Sequence, residues 1–147
     1  MKNLLPPRLW LLCIVAILML SQWLPGLHWL EPPWTYGGLV LLAAGIFLTV
    51  APAMLFHRIR TNIKTFNDPE QLVQSGLFRV TRNPMYLGFT LSLLGLAIST
   101  GAVSALLPVL VFFLSADRWY IPFEEARMEA IFGDAYASYC QGVRRWL

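Results

Sequence analysis

The sequence predicts an all-α integral membrane protein with four transmembrane helices, the last two a tight hairpin, followed by cytoplasmic C-terminal amphipathic helices. Three observations predict it. Hydrophobic residues make up 57% of the 147 and charged residues only 13%, where a soluble domain is typically about 25% charged. Apolar runs of membrane length recur along the chain, and the cations gather between them on what becomes one side. Residues 1–147 read as a single membrane domain.

The first apolar run, Leu9 to Leu30, exceeds the h-region of a signal peptide, and no small-x-small cleavage site follows it. It is expected to remain as a transmembrane helix over about 9–24, ended by Pro25-Gly26. The second run, Pro32 to Phe56, carries Pro33 and Trp34 at its entry and Pro52 within it. It predicts a helix over about 34–57, kinked at Pro52. A third run, Asn83 to Ala116, holds 34 residues without a charge. As one helix it would reach about 51 Å against a hydrocarbon core of about 30 Å, so it must fold back. Ser99-Thr100-Gly101 is the turn, giving helices over about 84–98 and 102–120. Pro84 suits the first helical turn, where its missing N–H costs nothing.

Two polar segments remain. A connector, 58–82, contains the turn-forming Asn67-Asp68-Pro69-Glu70. In the tail, 121–147, Pro122 is expected to open a helix reaching Phe132, Gly133 to break it and Asp134 to cap another. Tyr136, Tyr139 and Trp146 give the tail an aromatic face that closes the bundle from below.

Charge sets the orientation. Lys2 and Arg8 precede helix one; His57, Arg58, Arg60, Lys64, Arg79 and Arg82 lie between helices two and three; Arg118, Arg127, Arg144 and Arg145 follow helix four. The opposite side carries only Glu31, so both termini are expected in the cytoplasm, in the inner membrane if the cell is bacterial. The net charge of +3 suits anionic headgroups of the lipid bilayer, and no stacked aromatic-basic module points to nucleic acid. Cys13 and Cys140 lack a CxxC spacing and neighbouring His ligands, so they read as structural thiols and no metal is expected. Gly37, Gly38, Ala43, Ala44 and Gly45 on helix two, and Gly88, Gly95 and Ala97 on helix three, permit close helix packing in a monomer or homodimer.

The chemistry concentrates at the ends of the long apolar run. Arg82-Asn83-Pro84-Met85-Tyr86-Leu87-Gly88, led by Gly76-Leu77-Phe78, resembles the Arg-His-Pro-x-Tyr-x-Gly signature of the isoprenylcysteine carboxyl methyltransferase family. Glu124-Glu125, with Phe132-Gly133-x-x-Tyr136-x-x-Tyr139 and Val143-Arg144-Arg145-Trp146, resembles its second signature. The likeness covers roughly residues 37–147 and extends to phosphatidylethanolamine N-methyltransferases, which share the paired glutamates. It implies a membrane methyltransferase that uses S-adenosylmethionine, releases S-adenosylhomocysteine and modifies a lipophilic small-molecule acceptor: a carboxylate, amine, thiol or phenol reached from the bilayer. The cofactor-binding residues it implies are Val80, Arg82, Asn83, Pro84, Tyr86, Leu87, Gly88, Glu124, Glu125 and Tyr136, with Arg82 also positioning the acceptor. Asn83 stands where the family usually has histidine. An amide cannot titrate near neutrality, so hydrogen bonding rather than proton transfer is expected there.

These residue types suit that ligand. Glu124 and Glu125 supply acid, Arg82, Asn83 and the start of helix three can receive a carboxylate, and Met85, Tyr86 and Leu87 can line an apolar slot. Plainer roles suit them too. Arg82, Arg144 and Arg145 serve as headgroup anchors, Tyr86 as a belt aromatic, Gly88 and Gly95 as packing glycines, and Asp117-Arg118 as an ion pair closing helix four. Adjacent residues on a helix diverge by about 100°, so one glutamate is expected to face the cofactor and the other to orient Arg118, Arg127 or backbone. Two other functions stay open: a membrane NADPH-dependent reductase of related C-terminal architecture, and a non-catalytic membrane scaffold.

Overall fold

The computed structural model describes residues 5–24, 26–58 and 71–147. Lys2, Pro25, Arg60, Lys64 and the expected turn at Asn67–Glu70 lie outside them. The described chain forms α1 (Pro6–Trp23), α2 (Tyr36–Arg58), a 3-10 turn (Gly76–Arg79), α3 (Pro84–Thr100), α4 (Leu106–Ser115), α5 (Ile121–Phe132) and α6 (Asp134–Gly142). A short 3-10 turn, Val103–Ala105, leads into α4. Three stretches are long and apolar enough to cross a membrane: Pro6–Trp23, Tyr36–His57 and Val103–Phe132. At 17 residues α3 is shorter, about 26 Å at helical rise. The protein is an all-α integral membrane protein.

α3 is the centre of the bundle. It buries Tyr86, Phe89, Ser92, Leu93, Gly95 and Ala97, and Phe89 meets Trp10 of α1 on one side and Phe112 of α4 on another. Trp10 Nε1 donates to Ser92 Oγ at 2.9 Å, pinning α1 across a buried hydroxyl. α2 lies against α3 along a close seam, the most extensive helix pairing among the described residues. Its buried positions within the membrane-length stretch are Gly38, Gly45 and Pro52, one every seven residues, while Leu39, Val40, Ile46, Phe47, Val50 and Met54 stay exposed for lipid. A seven-residue period keeps one line of a helix on its partner.

That seam is built on missing side chains. A Cβ on Gly45 would run into the Gly88 carbonyl and the Ser92 backbone, and one on Gly38 would meet the Gly95 carbonyl and Ser99. The reciprocal collisions occur at Gly88 and Gly95. Of the small residues expected to pack on α2, Gly37, Ala43 and Ala44 are exposed; the seven-residue seam uses only Gly38 and Gly45.

At the far end, α3 stops on Gly101 in the left-handed conformation, φ 67°, the usual glycine exit from a helix. The turn is held from outside, because Trp29 N–H donates to the Gly101 carbonyl at 3.1 Å and Val103 N–H to Leu27 at 3.2 Å.

The near end departs from the expected layout. The fourth helix does not stop at Tyr120 for Pro122 to open a new one. It runs through a π turn, Ala116–Tyr120, into α5. Ile121 N–H reaches back to the Ala116 carbonyl, one residue further than in an α-helix. Pro122 lacks an N–H for the α ladder, and a locally widened helix accommodates it without a break.

Candidate active site

The π turn decides which side chains of α5 face the bundle. Val109 and Phe112 on α4, and Ala116 at the start of the π turn, are buried. Continued at about 100° per residue, that face would next present Phe123 and turn Glu125 outward. One residue of surplus winding subtracts about 100° and brings the glutamates round instead. Phe123 is accordingly 37% exposed, while Glu124 and Glu125 both reach the start of α3.

Each glutamate takes a different partner there. Glu124 Oε1 accepts from Tyr86 OH at 2.9 Å, and Glu125 Oε1 accepts from Arg82 Nη2 at 3.0 Å. The rotated helix thus places both glutamates against α3. Arg82 and Glu125 are 14% and 18% exposed at the side chain. Tyr86 lies parallel to Tyr120, centroids 6.3 Å apart, and Tyr120 in turn to Trp119 at 5.6 Å. The three rings lead from the buried Tyr86 out to the exposed Trp119.

The tail supplies the rest. After α6 the chain turns extended at Val143 and lies along the entry to α3. Arg82 N–H donates to the Arg144 carbonyl at 2.9 Å, and Thr81 Oγ1 and Asn83 Nδ2 both donate to the Arg145 carbonyl at 3.1 Å. Arg145 does not anchor headgroups as the sequence suggested. Its Nε and Nη2 donate to the two oxygens of Glu125, and its Nη1 stands 3.6 Å from Asp117. Glu125 holds the guanidinium proton, raising the Arg145 pKa, with Asp117 adding to the effect. Trp146 Nε1 donates to Asp117 Oδ1 at 2.9 Å, so Asp117 does more than pair with Arg118, which it meets at 3.3 Å. Arg144 is exposed, as an anchor would be.

The remaining expected site residues fall in distinct places. Pro84 is buried at the first turn of α3. Asn83 precedes it, buried, with its amide turned to the tail rather than capping the helix. Leu87 is half-buried, while Val80 is 60% exposed and stands apart from the cluster. Gly88 faces Gly45 and Thr49 of α2, so its missing side chain serves packing. Tyr136 is buried on α6 beside Tyr139. Burial, a Cys140 hydrogen bond and the nearby Glu125 charge raise the Tyr136 pKa against a smaller opposing pull from Arg82.

Sequence reasoning missed Asp117, Tyr120, Arg145 and Trp146 as members of this cluster. Asp117 carried the available signal, an acid at the end of a membrane-length apolar run, where a carboxylate needs a partner.

Tyr139 OH donates to the Phe78 carbonyl at 2.6 Å, tying α6 to the connector. Burial, reinforced by Cys140 and opposed by Arg82, pushes its pKa from 10.0 up to about 12. A phenol with a raised folded-state pKa contributes stability that is complete below pH 10 and is lost as pH climbs through 12. The melting midpoint is expected to fall across that window, and Tyr139→Phe to remove this part of the fall, as thermal unfolding in detergent would read. Beside this tie runs a groove of about 360 Å³ lined by Gln74, Arg79, Ala135, Ser138, Tyr139, Gly142 and Val143, within the roughly 300–1,000 Å³ of small-molecule sites.

Comparison with known proteins gives this geometry its class. The sequence model of the phospholipid methyltransferase family matches residues 33–135. The chain therefore belongs to that family, which makes it a membrane methyltransferase. It is 32% identical over 126 residues to protein-S-isoprenylcysteine O-methyltransferase A of Arabidopsis thaliana, an alignment covering 81% of this chain and 61% of that protein. It is 43% identical over 63 residues to an uncharacterized protein of Haemophilus influenzae, covering 43% of this chain and all of the other. No solved structure matches.

Proposed function

We propose that the protein transfers a methyl group from S-adenosylmethionine to a lipophilic small molecule that enters from the bilayer. The observation that carries this is the joining of Arg82 and Glu125 across the hairpin, with Arg82 Nε buried and, among the described residues, lacking an acceptor. A buried guanidinium N–H without an acceptor suits a carboxylate ligand, and the opposed acids suit an ammonium, so the residues fit an amino-acid-bearing donor. The donor supplies an activated methyl on a sulfonium. Arg82 and Glu125 would hold its amino-acid end, and Tyr86, oriented by Glu124, would wall the reacting space.

Methyl transfer to a bound acceptor needs little proton traffic, so alignment provides the acceleration, up to about 7–11 kcal/mol in favourable cases. Asn83, whose amide is committed to the tail, takes no proton in this scheme. The Arg82 end of the bundle faces the cytoplasm in this reading, where the donor is made, and Trp119 marks the lipid side by which the acceptor arrives.

Calorimetry on purified protein in detergent is expected to show S-adenosylhomocysteine binding, and labelled S-adenosylmethionine to mark a lipid-soluble product in membrane extracts. A thermal shift with NADPH and none with S-adenosylhomocysteine would favour a reductase instead. A folded protein that responds to neither would be a scaffold.

A further inference from the structure

We propose that Arg145 is a positioning residue and that Val143–Trp146 acts as a strap whose docking sets the geometry of Arg82 and Glu125. The strap lies beyond the stretch matched by the family's sequence model, which ends at residue 135. The proposal rests on the methyl-donor reading for its ligand, though not for the docking itself.

The strap grips both halves of the site. Its backbone takes the Arg82 amide through the Arg144 carbonyl, and Thr81 and Asn83 through the Arg145 carbonyl. Its side chains hold the other half: Arg145 spans Glu125 and Asp117, and Trp146 bonds Asp117 while its ring lies 5.2 Å from Phe113. Glu125 is thereby flanked by two guanidiniums. Both of its oxygens are taken by Arg145, and Oε1 is shared with Arg82.

Sharing of this kind fixes a carboxylate more firmly than one cation does, because rotating it toward either arginine loses bonds to the other. Without Arg145, Glu125 and Arg82 form a simple pair free to turn, and the aim of Arg82 Nε is lost. The strap touches the proposed ligand at no point in this scheme and acts through Glu125 and the Arg82 backbone.

Arg145→Gln, Arg145→Lys and Arg144→Gln separate this from a general structural role. Arg145→Gln is expected to weaken S-adenosylhomocysteine binding at least tenfold, Arg145→Lys to recover part of the loss, and Arg144→Gln to bind as the wild type does. Hydrogen exchange without ligand is expected to quicken across Thr81–Tyr86 in Arg145→Gln and to stay unchanged in α1 and α2. Wild-type affinity in Arg145→Gln, or Arg145→Lys no better than Arg145→Gln, would overturn the proposal. So would exchange at Thr81–Tyr86 that ignores the substitution. If the wild type itself binds no S-adenosylhomocysteine, the methyl-donor reading fails and exchange alone decides the strap.

Discussion

Replacing Glu125 with alanine is expected to abolish S-adenosylhomocysteine binding and to cost about 3–5 kcal/mol of stability, the range for removing one partner of a buried ion pair. The reason lies in what remains. Arg82 is 14% exposed at the side chain and loses its carboxylate, and Arg145 keeps only Asp117, at 3.6 Å. The two guanidiniums would then lose the carboxylate they share. Glu125→Gln keeps the shape, so it separates loss of charge from loss of packing. Glu129, exposed on the same helix, provides the control: Glu129→Ala is expected to change stability by less than about 0.5 kcal/mol. Chemical unfolding in detergent, alongside calorimetry, reads both effects. A loss near that of the control for Glu125→Ala would mean the cluster is hydrated and its charges weakly coupled.

The second large effect concerns two adjacent glycines that should respond with opposite signs. Gly38→Ala places a methyl against the Gly95 carbonyl and Ser99, and overpacking of this kind costs about 1–3 kcal/mol. Helix backbone cannot yield as a flexible side chain does, so α2 must lift away from α3. Gly37 has open space where its Cβ would stand. Gly37→Ala is expected to be neutral or to stabilise by up to about 0.5–1 kcal/mol, through the entropy a helical glycine loses on folding. Melting curves of the two variants side by side test the seam directly. Equal responses would show that α2 and α3 do not approach as closely as the glycines imply.

Much of the architecture was legible because the membrane restricts the alternatives. A 34-residue charge-free run cannot cross once, and Ser99-Thr100-Gly101 offered the turn, which the structure places on Gly101. The convergence of Arg82 with Glu125 was legible from that same hairpin. The path through Pro122 was not, because proline is read first as a helix start, and a π turn leaves no composition of its own. The inward turn of Arg145 was equally hidden. An arginine beside a tryptophan at a membrane edge has the look of a headgroup anchor, and only the placement of Asp117 and Glu125 shows otherwise. Glycine pairs seven apart, Gly38–Gly45 on α2 and Gly88–Gly95 on α3, hold the seam, whereas small size alone also selected Gly37, Ala43 and Ala44.

The π turn at Ala116–Tyr120 also ties the direction of the acidic pair to how one surplus residue is wound. Winding the same residues as plain α-helix would turn all of α5 by about 100°, whereas losing a single codon from this stretch would remove the surplus and leave α5 facing as it does. In the first case Phe123 would swing into the bundle and Glu125 toward lipid, with every residue of the chain still encoded. The facing of both glutamates toward α3 is thus written in the winding of the backbone as much as in the identity of the residues.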